Sequence, residues 1–381
     1  MRQISGTILT RELKQHTSIK DVASDSGYFV KTYRELVEQV AKLSYLNKDY
    51  LLFFRGQVND YKNKAGKSTF YPTIYRSDYL TQQELDYRFD KLYSASKILA
   101  ELFKKHKVEG QTELRRKKHI QWSILQHYEV TETPLIDVTQ SIRVACSFAQ
   151  LKNDQNTAFV YIFGLPYYTN RISINSEHDL INIRLLSITP PQALRPYFQE
   201  GFLVGTDDIT NEYERKEELD LNNRLIAKFE IPNSDSFWGD SFDRIPEDAL
   251  YPKNDEIENI CKDIGRDLKT EIAPSNIGVF LKLWTELEQV VLKQARQHIR
   301  DVHNIRNAIN VLLKYEENRY GLFKEIDYLR MFRNNVVHKP TSINNDDLNR
   351  NIQVLEKLKY EFMKATHNKS VESIKNPRAD S

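Results

Sequence analysis

Cysteines, net charge and long hydrophobic runs are all scarce in this sequence of 381 residues. The two cysteines, Cys146 and Cys261, lie far apart, so neither a disulfide framework nor a cysteine-ligated zinc site is expected, and a reducing, cytoplasmic location is predicted. No apolar run reaches the roughly 18 residues of a membrane-spanning helix. Residues 1–17 lack the apolar core of a secretory signal, so no membrane partner is predicted.

The charges nearly cancel, with 55 Lys and Arg against 53 Asp and Glu. This balance favours no particular class of partner, and any basic surface for nucleic acid would have to be local. Hydrophobic residues make up 40% of the chain and charged residues 28%, which is typical of a globular protein. The length favours two domains.

The order of predicted elements divides the chain into four segments. A helical extension over 1–49 precedes a domain of scattered strands and inserted helices over 50–270. Near Ala273 the pattern becomes all-helical, and four helices are predicted over 275–366, followed by a polar, mobile tail over 367–381. The predicted fold class is therefore α+β, with a mixed domain of sheet and helices followed by an all-α four-helix bundle.

Polar residues follow or end several predicted strands of the mixed domain. Arg55 and Gly56 come directly after the apolar run 50–54, and Asp137 lies in a strand that ends at Thr139. Polar groups that converge from distant segments indicate a pocket. The predicted pocket residues are Arg55, Arg76, His127, Asp137, Thr139 and Gln199. The alternative is structural: Asp137 would pair with Arg55, and His127 would form a hydrogen bond in the core.

A nearby segment matches only part of the phosphate-binding loop of ATPases. Residues 64–69 read Lys-Ala-Gly-Lys-Ser-Thr, which contains Gly-Lys-Ser but lacks the first glycine of a phosphate-binding loop at the required spacing. No strand, loop and helix pattern surrounds it, so an ATPase is not predicted.

Residues of about 50–265 resemble the FRG domain, which is named for its Phe-Arg-Gly motif. The matching segments are Phe54-Arg55-Gly56-Gln57, Tyr71-Pro72 with Arg76, Gln126-His127-Tyr128, Thr133 to Thr139, Ala145 with Phe148-Ala149, Arg195 with Gln199 and Gly201, and Leu250-Tyr251-Pro252. The chain departs from the family at Pro134, where the family more often has arginine.

The first strand of the FRG-like segment, followed by Arg55 and Gly56, is similar to the strand of ADP-ribosyltransferases that carries an arginine. That similarity implies a small nucleotide or NAD as ligand, with Gln199 at the place where those enzymes keep an acidic or amide residue. It implies either ADP-ribosyl transfer or nucleotide binding.

The all-helical segment contains a second candidate site, Arg333, Asn334 and His338, in the spacing Arg-Asn-x-x-x-His. Pro340 disfavours helical backbone in the residue before it, so the helix is expected to end at His338 or Lys339. The alternative is a helix-terminal histidine without a catalytic role.

Residues of about 275–366 resemble the HEPN superfamily, helical bundles whose ribonucleases carry an Arg-x(4–6)-His motif, often with Asn after the Arg. The resemblance implies metal-independent cleavage of RNA, in which His338 moves a proton, Arg333 offsets charge on the transition state and Asn334 orients the phosphate or the histidine. It implies no cofactor, and a homodimer that forms the site from two copies.

The leading functional prediction is an endoribonuclease that acts as a defence or toxin effector, with the FRG domain as its sensor or modifying module. The alternatives are an FRG-centred ADP-ribosyltransferase-like or nucleotide-binding protein, whose helical bundle dimerises or binds RNA, and a non-catalytic binding protein.

Overall fold

A computed structural model describes residues 1–17, 21–77, 80, 82–207, 209, 212–213, 215–268, 274–316, 319–339, 343 and 345–375. The chain forms two compact units, Met1–Gly265 and Arg266–Ser381. The position proposed for the domain boundary, Ala273, lies outside the described residues.

The first unit alternates helices and strands, and it includes residues 1–49. Its α-helices are α1 (Arg11–His16), α2 (Tyr33–Leu46), α3 (Gln82–Lys105), α4 (Gln111–Arg116), α5 (Lys118–His127), α6 (Ile142–Gln150), α7 (Arg195–Gln199), α8 (Glu247–Leu250) and α9 (Glu256–Asp267), the last of which continues to the start of the second unit. Its strands are β1 (Tyr28–Phe29), β2 (Leu51–Gln57), β3 (Ile136–Thr139), β4 (Thr157–Leu165), β5 (Ile172–Asn175), β6 (Leu180–Arg184), β7 (Gly201–Gly205) and β8 (Leu225–Pro232).

Within the described residues, these strands form one sheet in the order β1-β8-β4-β2-β3-β7-β6-β5. Neighbouring strands are antiparallel except for β1 and β8, which are parallel. Strand β2 lies in the middle, paired along its whole length with β4 and at Phe54 with Thr139 of β3. The Phe-Arg-Gly segment therefore lies at the centre of the sheet.

Alternation along the central strands supplies a core on each face of the sheet, because successive side chains of a strand point to opposite faces. Phe54 and Ile162 pack with residues of α2 and α6, such as Leu36 and Ala149. Phe53 and Phe163 belong to a separate core, with residues that include Phe70 and Leu221.

The second unit consists of α10 (Pro274–His298), α11 (Ile305–Tyr315), α12 (Tyr320–His338) and α13 (Asn345–Lys375). Residues at helical spacing on α10 build its core: Phe280, Trp284, Leu287 and Val291 are all buried. The α+β fold with an all-helical C-terminal region is confirmed. The predicted tail over 367–381 falls partly in α13, and residues 376–381 lie outside the described residues.

Candidate functional site

An open cavity of about 750 Å³ lies beside the centre of the sheet in the first unit, and we call it the arginine cavity. All six pocket residues predicted from the sequence line it: Arg55, Arg76, His127, Asp137, Thr139 and Gln199. These residues come from β2, β3, α5, α7 and the segment that follows β2. The fold thus brings together residues as far apart in the sequence as 55 and 199.

Two arginines supply the positive charge of the cavity. Nη1 of Arg55 donates a hydrogen bond of 2.5 Å to the backbone carbonyl of Asp137, and Nε of Arg76 donates one of 2.7 Å to the carbonyl of Tyr71. In the part of the chain that the structure describes, neither guanidinium has a carboxylate within 4.0 Å. The structural alternative predicted an ion pair between Asp137 and Arg55, and the described residues do not contain it.

The electrostatics of both arginines reflect this arrangement. Burial lowers the pKa of Arg55 from its usual value, Asp137 opposes the change, and the charge of Arg76 adds to the lowering. Burial likewise lowers the pKa of Arg76, and Asp137 again opposes it. Asp137 therefore offsets part of the cost of burying both positive charges, although it forms an ion pair with neither guanidinium.

Glycine is required after Arg55 because helix α6 packs directly on strand β2. A Cβ atom at Gly56 would lie 1.8 Å from the backbone oxygen of Ala145 and 2.8 Å from the nitrogen of Ala149. The same close approach lets Ala145 and Phe148 of α6 line the cavity next to Arg55. The Phe-Arg-Gly motif thus combines a core residue, a cavity cation and a contact that only glycine permits.

The carboxylate of Asp137 is held by side chains of α5. Nε2 of Gln126 donates a hydrogen bond of 2.8 Å to Oδ2, and Nδ1 of His127 lies 3.3 Å from Oδ1. Oε1 of Gln126 accepts hydrogen bonds from Thr133 and Thr73, which leaves its nitrogen for Asp137. The Asp137 side chain is 40% exposed, and it lines the cavity.

Asp137 is ionised within the cavity. Burial raises its pKa, but the hydrogen bond and charge of His127, the hydrogen bond from Gln126 and the charge of Arg55 outweigh burial, so the pKa is held below its usual value. The His127 side chain is 3% exposed, and its Nε2 has no hydrogen-bond partner within the described residues. The carboxylate can therefore accept hydrogen bonds from hydroxyl groups of a ligand.

Thr139 and Gln199 join the strand to its surroundings. Oγ1 of Thr139 lies 3.1 Å from the carbonyls of both Gln199 and Glu200, and it accepts a hydrogen bond from the backbone of Ser141. Nε2 of Gln199 donates to the carbonyl of Leu250 at 2.8 Å. Both side chains line the cavity, but these contacts indicate that they mainly support its wall.

Several other residues line the cavity but were not among the predicted candidates: Gln57, Tyr61, Tyr71, Gln126, Glu129, Phe148 and Tyr251. Glu129 is exposed and has a φ of 55°, a left-handed conformation that glycine favours. Its backbone N–H donates to the carbonyl of Gln126 at 3.0 Å, as expected just beyond the end of a helix. Its place directly after Gln126-His127-Tyr128 was the signal available in the sequence.

A family model of the FRG domain matches residues 51–158. The chain contains an FRG domain. The predicted resemblance is confirmed over these residues, which include Arg55, Arg76, His127, Asp137 and Thr139 but not Gln199. No curated protein and no solved structure matches the chain significantly. Strands β5 to β8, which complete the sheet, follow the matched part of the FRG domain.

Outside the FRG domain, the second candidate site lies at the end of α12. The helix ends at His338, as predicted, although Pro340 lies outside the described residues. His338 is exposed, whereas Arg333 and Asn334 are half-buried, and Nη1 of Arg333 donates to Oδ1 of Asn334 at 3.2 Å. Nε of Arg333 is buried without a hydrogen-bond partner among the described residues. A spacing of five residues separates Arg333 and His338 by about 140° around the helix axis.

The described residues contain no cluster of three or more His, Cys, Asp and Glu side chains that could hold a metal ion. None of the helices within those residues combines the length and apolar character that crossing a membrane requires.

Proposed function

We propose that the arginine cavity binds a phosphate-bearing ligand of the nucleotide class, with NAD as a candidate. The observation that supports this proposal is the pair of guanidinium groups without carboxylate partners in the described part of the chain. Arginine presents a planar fork of N–H donors that matches phosphate oxygens.

An anion between Arg55 and Arg76 would offset two unfavourable terms at once. Burial disfavours the charged form of both guanidinium groups, and the charge of Arg76 further disfavours that of Arg55. A bound phosphate would supply the opposite charge, and the cavity would exclude much of the water that otherwise screens the attraction. The ionised Asp137 would then accept hydrogen bonds from sugar hydroxyls rather than contact phosphate.

The described residues fit NAD by the chemistry of their groups, since the cavity offers cations, a carboxylate and aromatic rings in about 750 Å³. When bound, NAD would supply an ADP-ribosyl group on a cleavable glycosidic bond. Gln199 would not act as the acid or base, because an amide does not titrate, and its nitrogen is held by the carbonyl of Leu250. Glu129 and Asp137 are the carboxylates in the cavity lining that could move a proton or stabilise positive charge on the ligand.

Calorimetric titration of the full chain with NAD, AMP and pyrophosphate tests this proposal. We expect Arg55→Gln to weaken binding by about tenfold to a hundredfold, because hydrogen bonds to charged groups contribute about 1.5–3 kcal/mol each. Arg34→Gln, which changes an exposed arginine of α2, is the matched control and should bind as the unchanged protein does.

Incubation with labelled NAD then separates an enzyme from a binding module. Transfer of label that is lost in Arg55→Gln would support ADP-ribosyl transfer, while binding without transfer would leave nucleotide binding alone. If the unchanged protein binds none of the three ligands, the proposal is wrong.

We also propose that the second unit is a HEPN-type, metal-independent endoribonuclease. The observation that favours it is the arrangement of Arg333, Asn334 and His338, in which an exposed imidazole follows an arginine fixed by the neighbouring amide. The unit is also the basic part of the chain, with 20 Lys and Arg against 15 Asp and Glu in residues 266–381. A net positive charge favours binding to RNA phosphates.

In this proposal, the 2′-hydroxyl attacks the adjacent phosphate and the bond from phosphorus to the 5′-oxygen breaks, which leaves a 2′,3′-cyclic phosphate and a 5′-hydroxyl. His338 moves the proton from the 2′-hydroxyl towards the departing 5′-oxygen, and Arg333 offsets the charge that develops on phosphorus-bound oxygen. The 140° between the two residues disfavours a complete site on one helix. A second copy of the chain would therefore complete the site, and the ribonuclease would act as a homodimer.

Cleavage of a labelled single-stranded RNA by the purified chain in the presence of a chelator tests this second proposal. His338→Ala should abolish cleavage, whereas His303→Ala, which alters another exposed histidine of the same unit, should retain it. Unchanged cleavage by His338→Ala would show that the activity lies elsewhere. Mixing inactive Arg333→Ala with inactive His338→Ala chains should restore part of the activity if the site is shared between two copies.

A further inference from the structure

We propose that Tyr251 and Phe148 form a stacking site for the base of the ligand, so that the arginine cavity selects nucleotides over sugar phosphates that lack a base. This inference rests on the proposed binding of a phosphate-bearing ligand. It concerns a different part of the same cavity, and it adds a positioning residue, Arg195, that does not line the cavity.

The two rings form an aromatic corner, which we define as the side chains of Phe148 and Tyr251. Their centroids are 6.1 Å apart and their planes are at 89° to each other. Both residues line the cavity and are partly exposed there. A base that stacks on one ring can meet the edge of the other, which is a favourable geometry for aromatic groups.

Tyr251 is held from behind by a buried arginine. The Arg195 guanidinium lies 4.9 Å from the centroid of the Tyr251 ring and 5.1 Å from that of Tyr128. Arg195 is only 9% exposed, and its Nη2 donates to Glu258 at 2.8 Å. Since cation–π contacts and an ion pair fix the guanidinium, it in turn fixes the ring that faces the cavity.

The contacts of the lining residues divide the cavity into two parts. Asp137 influences the pKa of Arg55, of Arg76 and of Tyr251, so it lies near all three. Arg55 and Arg76 donate to the carbonyls of Asp137 and Tyr71, whereas the Tyr251 ring packs against Phe148 and Arg195. A nucleotide would therefore place its phosphate at the arginines, its ribose near Asp137 and its base at the aromatic corner.

A second pair of rings lies in the arginine part of the cavity. Tyr61 is 57% exposed and acts on the pKa of both arginines, and Tyr71 accepts the hydrogen bond from Arg76 on its backbone carbonyl. These residues would lie beside the phosphate. Tyr61 is thus the control that distinguishes the aromatic corner from a general preference for aromatic walls.

The test compares two probes, AMP and ribose 5-phosphate, by calorimetric titration of the full chain. We expect the unchanged protein to bind AMP at least about tenfold more tightly than ribose 5-phosphate. Tyr251→Ala should weaken AMP binding by about tenfold to a hundredfold, as for the loss of a base stack. Its affinity for ribose 5-phosphate should change less than about threefold.

Three further variants make the test specific. Tyr251→Phe restores the ring and should bind AMP more tightly than Tyr251→Ala. Tyr251→Leu keeps apolar bulk without the ring, and it should lose the preference for AMP if stacking is responsible. Arg195→Lys keeps the charge but not the planar fork, so it should reduce the preference for AMP while ribose 5-phosphate binding persists.

The controls and contrary outcomes separate a failure of the stacking site from a failure of the phosphate site. Tyr45→Ala, an exposed tyrosine of α2, should bind both probes normally, and circular dichroism should show that each variant is folded. Equal binding of AMP and ribose 5-phosphate by the unchanged protein would overturn the stacking site but leave the phosphate site intact. Loss of the AMP preference in Tyr61→Ala but not in Tyr251→Ala would also overturn it. Binding of neither AMP nor ribose 5-phosphate would overturn the stacking site, and the titrations with NAD and pyrophosphate would then decide the phosphate site.

Discussion

The two units of this chain assemble their candidate sites in opposite ways. In Met1–Gly265, residues from several strands and helices converge on a cavity, and the unit contains 35 Lys and Arg and 38 Asp and Glu. In Arg266–Ser381, the candidate residues lie within six positions of one helix, and basic residues outnumber acidic ones. The first arrangement suits a small ligand that can be enclosed, and the second suits a polymer that can be met on a surface.

The units also differ in how much they depend on close backbone contacts. Strand β2 and helix α6 touch at Gly56, whereas a Cβ atom at Gly278 on α10 would meet no other atom within 4 Å. A cavity built from many segments therefore depends on one small residue in a way that the helical site does not.

Identical glycine substitutions would test this difference most strongly. We expect Gly56→Ala to lower the free energy of unfolding of the first unit by about 3 kcal/mol or more, because its Cβ would overlap the carbonyl of Ala145. Gly278→Ala should instead raise that of the second unit by up to about 1 kcal/mol, since alanine favours helix. Hydrogen exchange read by mass spectrometry measures each unit on its own peptides. Equal effects in the two units would break the comparison.

The pH dependence of the first unit is expected to come partly from Asp220, which is 1% exposed. Burial raises its pKa to about 6, although the backbone N–H groups of Asn222 and Phe70 donate to its carboxylate. An unfolded aspartate has a pKa of about 3.9, so the folded protein keeps the proton to a higher pH. The free energy of unfolding should therefore fall as the pH rises from about 4 to above 6.

Asp220→Asn should remove that fall because an amide does not titrate, and its oxygen can still accept both backbone hydrogen bonds. Denaturant unfolding at pH 4.5 and 7.5 should show the variant gaining about 2–3 kcal/mol relative to the unchanged protein between the two pH values. Asp49→Asn, an exposed site, is the control and should show no such gain. A parallel pH profile for Asp220→Asn and the unchanged protein would contradict the assignment.

Helix caps should show the smallest effect and the same effect in both units. Thr32 accepts a hydrogen bond from the backbone of Glu35 at the start of α2, and Asn304 accepts one from Asn307 at the start of α11. We expect Thr32→Ala and Asn304→Ala each to cost about 1 kcal/mol, because capping is local. Denaturant titration measures both losses. Values that differ by more than about 1 kcal/mol would show that a cap also depends on its unit.

Sequence patterns predicted the regular elements best where one face of an element is buried. The helical spacing of Phe280, Trp284, Leu287 and Val291 and the alternating run of β4 each correspond to an observed element. The two-residue strand β1 and the edge strand β5 were not predicted, since such short strands carry little periodicity. The start of α6 likewise depends on local contacts rather than on periodicity: Ser141 caps the helix, and Thr139 accepts the backbone N–H of Ser141.

By itself, the sequence determined which residues could carry chemistry and that an all-helical segment follows the mixed one. It supplied Arg55 and Asp137 at strands, and Arg333 and His338 in one helix, because local patterns encode strands, helices and their ends. Only the tertiary structure decided that Arg55 contacts the carbonyl of Asp137, and that Arg195 supports a ring that faces the same cavity. The reason is physical: these contacts join residues that are 56 to 82 positions apart, and the pairing of strands and the packing of helices set their distances.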